Sequence, residues 1–155
     1  MRADTDEFLA EIRAIASTAT DRVVALRQIA DRLRSAGNYR WVGLYDVDQA
    51  AGLVKNIVWS GPEAPSFPVF PLTKGLTGSA ISFRKTVNVG DVAADPRYLT
   101  ALGSTRSEII VPVFDQTGKV VGTIDVESEY ENAFDPETQF FLERCSDVVR
   151  PLWLT

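Results

Sequence analysis

The sequence predicts an α+β fold, a central antiparallel sheet flanked by helices from both chain ends, and three observations predict it. Ser107 to Ser128, SEIIVPVFDQTGKVVGTIDVES, reads as two β-strands joined by the turn Asp115-Gln116-Thr117-Gly118. Ile, Val and Phe crowd both arms, while Asp and Gly supply the side-chain hydrogen bonding and permissive backbone that a turn needs. Tyr39 to Ser60 reads as a second hairpin, and the stretches before and after the hairpins carry apolar residues at helical spacing.

Taken in order, Asp4 to Ser17 is expected to be a helix, with Phe8, Ile12 and Ile15 on one face and Asp4 or Thr5 as its N-cap. A second helix follows from Thr20 to Ala36, with Val23, Leu26, Ala30 and Leu33 as its stripe and Gly37-Asn38 ending it. Its arginines, Arg22, Arg27, Arg32 and Arg34, read as a solvated face. Tyr39 to Val47 is a strand, Asp48 to Gly52 a turn and Leu53 to Ser60 a strand. In the first of these Trp41, Gly43 and Tyr45 share a face, and Val42, Leu44 and Val47 are assigned to the other. Two aromatics at this spacing are ordinary core, yet flanking a glycine they can also wall a ligand.

Gly61 to Pro68 is a proline-rich loop leading to a short extended segment that ends at Leu72. Thr73-Lys74-Gly75-Leu76-Thr77-Gly78-Ser79 then opens a helix to about Arg84. Free N–H groups at such a start can receive an anion or a carbonyl, although the P-loop spacing is absent and Gly75 and Gly78 equally suit close approach to the sheet. Thr86 to Val89 is a short strand. Gly90 to Arg106 holds no regular pattern beyond one helical turn expected at Asp95-Pro96-Arg97-Tyr98, and a connection this long reads as a lid or binding loop. The last helix starts at Asp135 and Pro136, carries Phe141, Cys145, Val148 and Leu152 on one face, and stops at Pro151.

Composition narrows the chemistry. The chain has 155 residues, 45% of them hydrophobic and 24% charged, which suits one domain with a real core. A net charge of -5 argues against a nucleic-acid face or an anionic membrane surface. No apolar run has the length of a membrane span, and the first residues lack the shape of a signal peptide, so a cytoplasmic location is expected. One cysteine forms no internal disulfide, and the absence of histidine excludes Ser-His-Asp and Cys-His mechanisms.

Any chemistry then rests on carboxylates, hydroxyls, Tyr, Lys or the lone thiol. Alternation places Val121, Thr123, Asp125 and Glu127 on one face of the final strand and Val120, Gly122, Ile124 and Val126 on the other. Glu108 opens the facing strand, so three acids converge at one end of the hairpin. A solvated face would tolerate them, but Ile110, Pro112 and Phe114 make both faces of that strand apolar, which fits a sheet covered on both sides. Acids beneath a cover need a reason, because unpaired buried carboxylates are costly or take up protons.

The order of elements resembles a GAF domain over nearly the whole chain, most visibly in Ile109-Ile110-Val111-Pro112-Val113, Gly122-Thr123-Ile124-Asp125-Val126-Glu127-Ser128 and Phe134-Asp135-Pro136-Glu137. Within that superfamily the chain is most similar to stand-alone free methionine-(R)-sulfoxide reductases, through Trp41-Val42-Gly43-Leu44-Tyr45, Gly75-Leu76-Thr77-Gly78-Ser79-Ala80 and Ser107-Glu108-Ile109-Ile110-Val111-Pro112. The resemblance implies helices packed on one face of the sheet and a pocket on the other. It implies binding of a free amino acid by Glu108, Asp125, Glu127, Trp41 and Tyr45, with Phe67, Thr77, Ser79 and Ser107 as further ligand-binding candidates.

That family works through cysteine thiols, and the matching positions hold Phe67, Thr77 and Ala101, while Cys145 lies in another element. The expectation is therefore one GAF domain, residues 1–155, that binds an amino-group-bearing small molecule without catalysis, cofactor or metal. Bilin attachment would need a pocket cysteine, and the cyclic-nucleotide signature matches poorly. Three alternatives stand beside it. One is a divergent reductase; another is a homodimerisation module pairing through Phe8, Ile12 and Ile15 or through Trp153 and Leu154; the weakest is a hard cation on the three acids, without the spacing of a dedicated loop.

Overall fold

The computed structural model describes residues 2–99 and 103–153. Four helices and six strands follow one another as α1 (Arg2–Thr18), α2 (Arg22–Gly37), β1 (Trp41–Asp48), β2 (Leu53–Ser60), β3 (Val69–Pro71), α3 (Gly75–Phe83), β4 (Val87–Val89), β5 (Ser107–Phe114), β6 (Val120–Ser128) and α4 (Pro136–Val149). The strands form one antiparallel sheet in the order β3-β2-β1-β6-β5-β4, so the α+β expectation stands. The central pair β1 and β6 joins the two hairpins through a register running from Trp41 opposite Glu127 to Asp46 opposite Gly122.

Turn and cap chemistry sets the element ends. Asp115 closes the β5–β6 turn by accepting from the N–H groups of Thr117 and Lys119 at 2.8 and 3.0 Å. Asp21 caps α2 through Val24 N–H, and Asp135 caps α4 through Thr138 N–H at 2.8 Å, with Pro136 behind it. Asp4 lies inside the first turn of α1 instead of capping it, where its charge still favours the helix N-terminus.

Helices α1, α2 and α4 cover one face, burying Ile12, Leu26, Ile29, Leu33 and Leu142 against Val42, Leu44, Val111 and Ile124. Each such side chain contributes about 1.5–3 kcal/mol by leaving water. The stripe of α2 is Ala25, Leu26, Ile29, Ala30 and Leu33, whereas Val23, off that face, is 52% exposed. Its arginines are not merely solvated: Arg22 pairs with the Asp46 carboxylate, Arg34 donates to the carbonyls of Tyr39 and Arg40 at 3.2 Å, and the more exposed Arg32 and Arg27 pair with Glu11 at 2.6 Å and Asp31 at 3.8 Å. Three of the residues expected to pair two chains pack within one. Ile12 is fully buried, Phe8 packs on Phe141 with ring centroids 5.4 Å apart, and Trp153 is buried with its indole N–H on the Tyr45 carbonyl at 3.1 Å. Leu154 lies outside the described residues.

Two corrections concern which way strands point. Val47 belongs with Trp41 and Tyr45, as an odd-numbered residue of β1 should, and not with Val42 and Leu44. In β6 the register slips, with Val113 opposite Gly122 but Phe114 opposite Val120, so Val121 is the extra residue of a β-bulge. Val120 therefore joins the cluster of Trp41 and Tyr45, and Val121 packs on the helix side, the reverse of the alternation expected.

The second face is covered by α3 and by loops. Leu76 and Ala80 of α3 lie on Ile110, and Phe70 with Ile81 packs on Trp41 and Tyr45. The described residues of 90–106 contain a 3-10 turn at Val92–Ala94, with Asp91 as its cap, followed by the single turn expected from Asp95, which the Tyr98 N–H closes on the Asp95 carbonyl at 3.2 Å. At the sheet's β5 edge, β4 pairs only with Glu108, Ile109 and Ile110. Beyond it Pro112 has no N–H to offer, and its carbonyl accepts from the Ser146 hydroxyl of α4 at 2.7 Å.

Candidate functional site

Register alone brings the three acids together. Glu108 on β5 faces Glu127 on β6, and Ile110 faces Asp125, two residues along. On the other side of β6, Trp41 lies opposite Glu127, Gly43 opposite Asp125 and Tyr45 opposite Thr123. Gly43 is what lets the two rings close over this strand, because a Cβ there would fall 2.3 Å from the Trp41 ring and 2.9 Å from that of Tyr45.

All three acids are buried: Glu108 is 3%, Asp125 4% and Glu127 0% exposed, with one oxygen from each within 4.8 Å of the others. Thr105, from the 90–106 connection, donates its hydroxyl to Glu127 Oε1. Glu127 Oε2, Asp125 Oδ1 and the Thr123 hydroxyl have no hydrogen-bond partner among the described residues. No ion pair of the described residues involves any of the three acids. Two unit charges 4.8 Å apart repel by about 3.5 kcal/mol at an effective dielectric constant of about 20. Three such pairs would oppose a fold whose whole stability is about 5–15 kcal/mol.

Protonation relieves this. Burial first, then the charges of Asp125 and Glu127, push Glu108 well above the usual carboxylate range. Burial and then Asp125 push Glu127 the same way, against the hydrogen bonds from Thr105 and Glu108. Asp125 rises to about 6, again through burial, and the hydrogen bond from Glu108 holds it back. The cluster therefore holds protons more tightly than free carboxyl groups do.

Glu108 and Asp125 open into a cavity of about 20 Å³ whose other walls are Tyr45, Phe67, Phe70, Gly75, Leu76, Thr77 and Leu99. That volume holds about one water on this measure. Leu99 and Thr105 bring the 90–106 connection over the acids, where the sequence reading set it. Helix α3 starts beside the cavity, and no N-cap side chain accepts from its first N–H groups. Gly75 and Gly78 serve the loops, not the sheet: a Cβ on them would lie 3.0 Å from Leu99 Cβ and 2.6 Å from the Thr73 backbone.

The predicted residues divide into those on the cavity and those behind it. Tyr45, Phe67, Thr77, Glu108 and Asp125 line it. Glu127 lies deeper, held by Thr105, and Trp41 is fully buried behind the wall with its indole N–H on the Glu63 carbonyl at 3.0 Å. Ser79 is half-buried and outside the lining. Ser107 points the other way, since odd residues of β5 face the helices; its hydroxyl donates to the Tyr130 carbonyl at 2.6 Å and accepts from Ala133 N–H at 3.3 Å. Ala101 lies outside the described residues. Cys145 is fully buried in α4 among the helix-side core, and burial drives its thiol up to about 12.

Four residues were not singled out from sequence: Phe70, whose ring meets Tyr45 edge-on at 6.0 Å, Leu76, Leu99 and Thr105. Phe70 stood two places before Leu72 in an extended run and could have been read as inward-facing.

Comparison with known proteins places this geometry among relatives. The GAF domain family's sequence profile matches residues 21–150. The chain is 28% identical over 137 residues to GAF domain-containing protein A of Dictyostelium discoideum, covering 88% of this chain and 84% of that one. It is 32% identical over 116 residues to the free methionine-R-sulfoxide reductase of Saccharomyces cerevisiae, covering 74% of this chain and 63% of the yeast protein. Among solved structures, free methionine-R-sulfoxide reductase from Neisseria meningitidis in complex with its substrate superposes with a TM-score of 0.88 at 31% identity, over 97% of this chain and 88% of that one.

Proposed function

The chain belongs to the GAF domain family, and from that premise we propose that it binds, without catalysis, a small molecule carrying an amino or other cationic group. One observation carries the reading: Asp125 Oδ1 and Glu127 Oε2 are buried with no hydrogen-bond donor from outside the acidic cluster among the described residues, and that cluster borders a cavity walled by Tyr45, Phe67, Phe70 and Leu99. A buried carboxylate oxygen without a donor is costly, and an ammonium group supplies both the missing N–H and the missing charge. The apolar part of the ligand would rest on the aromatic walls, and a carboxylate on it would meet the uncapped start of α3. Ligand pockets typically measure about 300–1,000 Å³, so entry requires Leu99 and Phe67 to move away from a cavity of about 20 Å³.

Thermal-shift measurements with amino acids, their oxidised derivatives and small polyamines test this. A ligand at about a hundred times its Kd adds about 2.7 kcal/mol, and Asp125→Asn removes that gain. If none of these compounds raises the melting temperature of the unaltered chain, the reading fails.

A second reading, a divergent methionine sulfoxide reductase, is favoured by the 31% identity to the Neisseria meningitidis enzyme. It predicts thiol-dependent loss of free methionine-(R)-sulfoxide that Cys145→Ser abolishes. Against it stand Phe67 and Thr77 on the cavity where the resemblance implies thiols, and Cys145 buried on the helix side of the sheet in α4. Unchanged sulfoxide after incubation with enzyme and reductant would dispose of it.

A further inference from the structure

We propose that the cationic ligand enters this site in exchange for a proton, which leaves the three-carboxylate cluster for solvent as the positive charge arrives. The inference rests on the ligand-binding reading above and concerns how that same site is regulated. Three carboxyl groups sit with oxygens within 4.8 Å of one another, buried, and make no ion pair with a described lysine or arginine. Such a cluster cannot stay fully ionised on its own, so the empty site stores protons.

The groups that face it are few. Tyr45 comes from β1, and Tyr98 comes from the 90–106 connection; burial first, and then the acids themselves, push both phenols upward, so both are neutral near neutral pH. Thr105 gives Glu127 a neutral hydrogen bond, and Leu76 and Thr77 bring no charge from α3. No neighbouring base is present among these to accept the proton, which passes to bulk water or buffer.

An ammonium reverses the balance. It pairs best with ionised carboxylates, so binding draws the carboxyl groups toward their ordinary acidity and expels a proton from a glutamate. In the empty site these groups titrate above their ordinary range, and in the filled site closer to it. Between those limits the affinity rises with pH, by about tenfold per pH unit for each proton released.

Isothermal titration calorimetry on the full chain tests the exchange, with ethylammonium chloride and L-methionine as probes and with phosphate and Tris as buffers of different ionisation heat. The expected result is a Kd that tightens from pH 6 to pH 7, with a buffer-dependent heat that reports proton release on probe binding. Glu108→Gln should flatten the pH dependence, and Glu127→Gln serves if that variant does not fold. A probe that binds with equal Kd at both pH values and equal heat in both buffers overturns the exchange and leaves the binding site standing. If neither probe binds, the reading beneath it falls and the exchange falls with it.

Discussion

Replacing Asp125 by Asn should stabilise the ligand-free domain in a strongly pH-dependent way. The Asp125 carboxyl rises from an ordinary 3.8 to about 6, and at about 1.36 kcal/mol for each factor of ten this amounts to about 3 kcal/mol. The sign follows from linkage. A carboxyl whose folded pKa is raised stabilises the fold fully below its unfolded pKa, and that contribution is lost as pH rises through the folded value. Stability held below about pH 4 is therefore surrendered by about pH 6 and is absent at pH 8. Asparagine keeps the shape and can still accept the Glu108 proton, but it has nothing to ionise. The variant should match the parent near pH 4 and exceed it by about 3 kcal/mol at pH 8, which for a chain of 155 residues is a rise of about 6–12 °C in melting temperature. Calorimetric or urea unfolding at both pH values reads this directly. A gap between variant and parent that is the same at pH 4 and pH 8 would refute the claim that burial makes the Asp125 charge expensive.

Other outcomes follow from single contacts. Gly43→Ala forces the Trp41 and Tyr45 rings apart and should cost about 1–3 kcal/mol in urea unfolding while weakening any ligand-induced thermal shift. Ser146→Ala leaves the Pro112 carbonyl buried without a donor, a loss of about 1–3 kcal/mol measurable by the same method. Asp135→Ala removes the cap of α4 and should lower stability by about 1 kcal/mol, seen as a lower urea midpoint. Cys145 should resist a thiol-reactive dye in the folded chain and react on addition of denaturant; rapid labelling of the native protein would contradict its burial.

Much of the architecture was legible because hairpins announce themselves through alternation and turn residues, and Asp115, Asp135 and Pro136 act where their chemistry predicted. The convergence of Glu108, Asp125 and Glu127 also followed from parity along two strands joined by one turn. The same parity argued against Ser107, an odd residue on a strand whose even residues carry the site, and the matched stretch around it obscured this. The bulge at Val121 left no trace, since Val120 and Val121 are the same residue type and satisfy either face equally. Leu99 was illegible for another reason: it reaches the acids from a connection without periodicity, so only the folded path of residues 90–106 brings it there.

The outermost strands of the sheet, β3 and β4, are three residues each, and the first of them ends in Pro71. Where β4 gives out, Pro112 and Ser146 have already closed the neighbouring strand. A foreign polypeptide seeking to extend the ribbon finds too few open amides at either rim to template growth. The molecule thus guards itself against fibrous self-assembly by the shortness of its borders, without a charged fence.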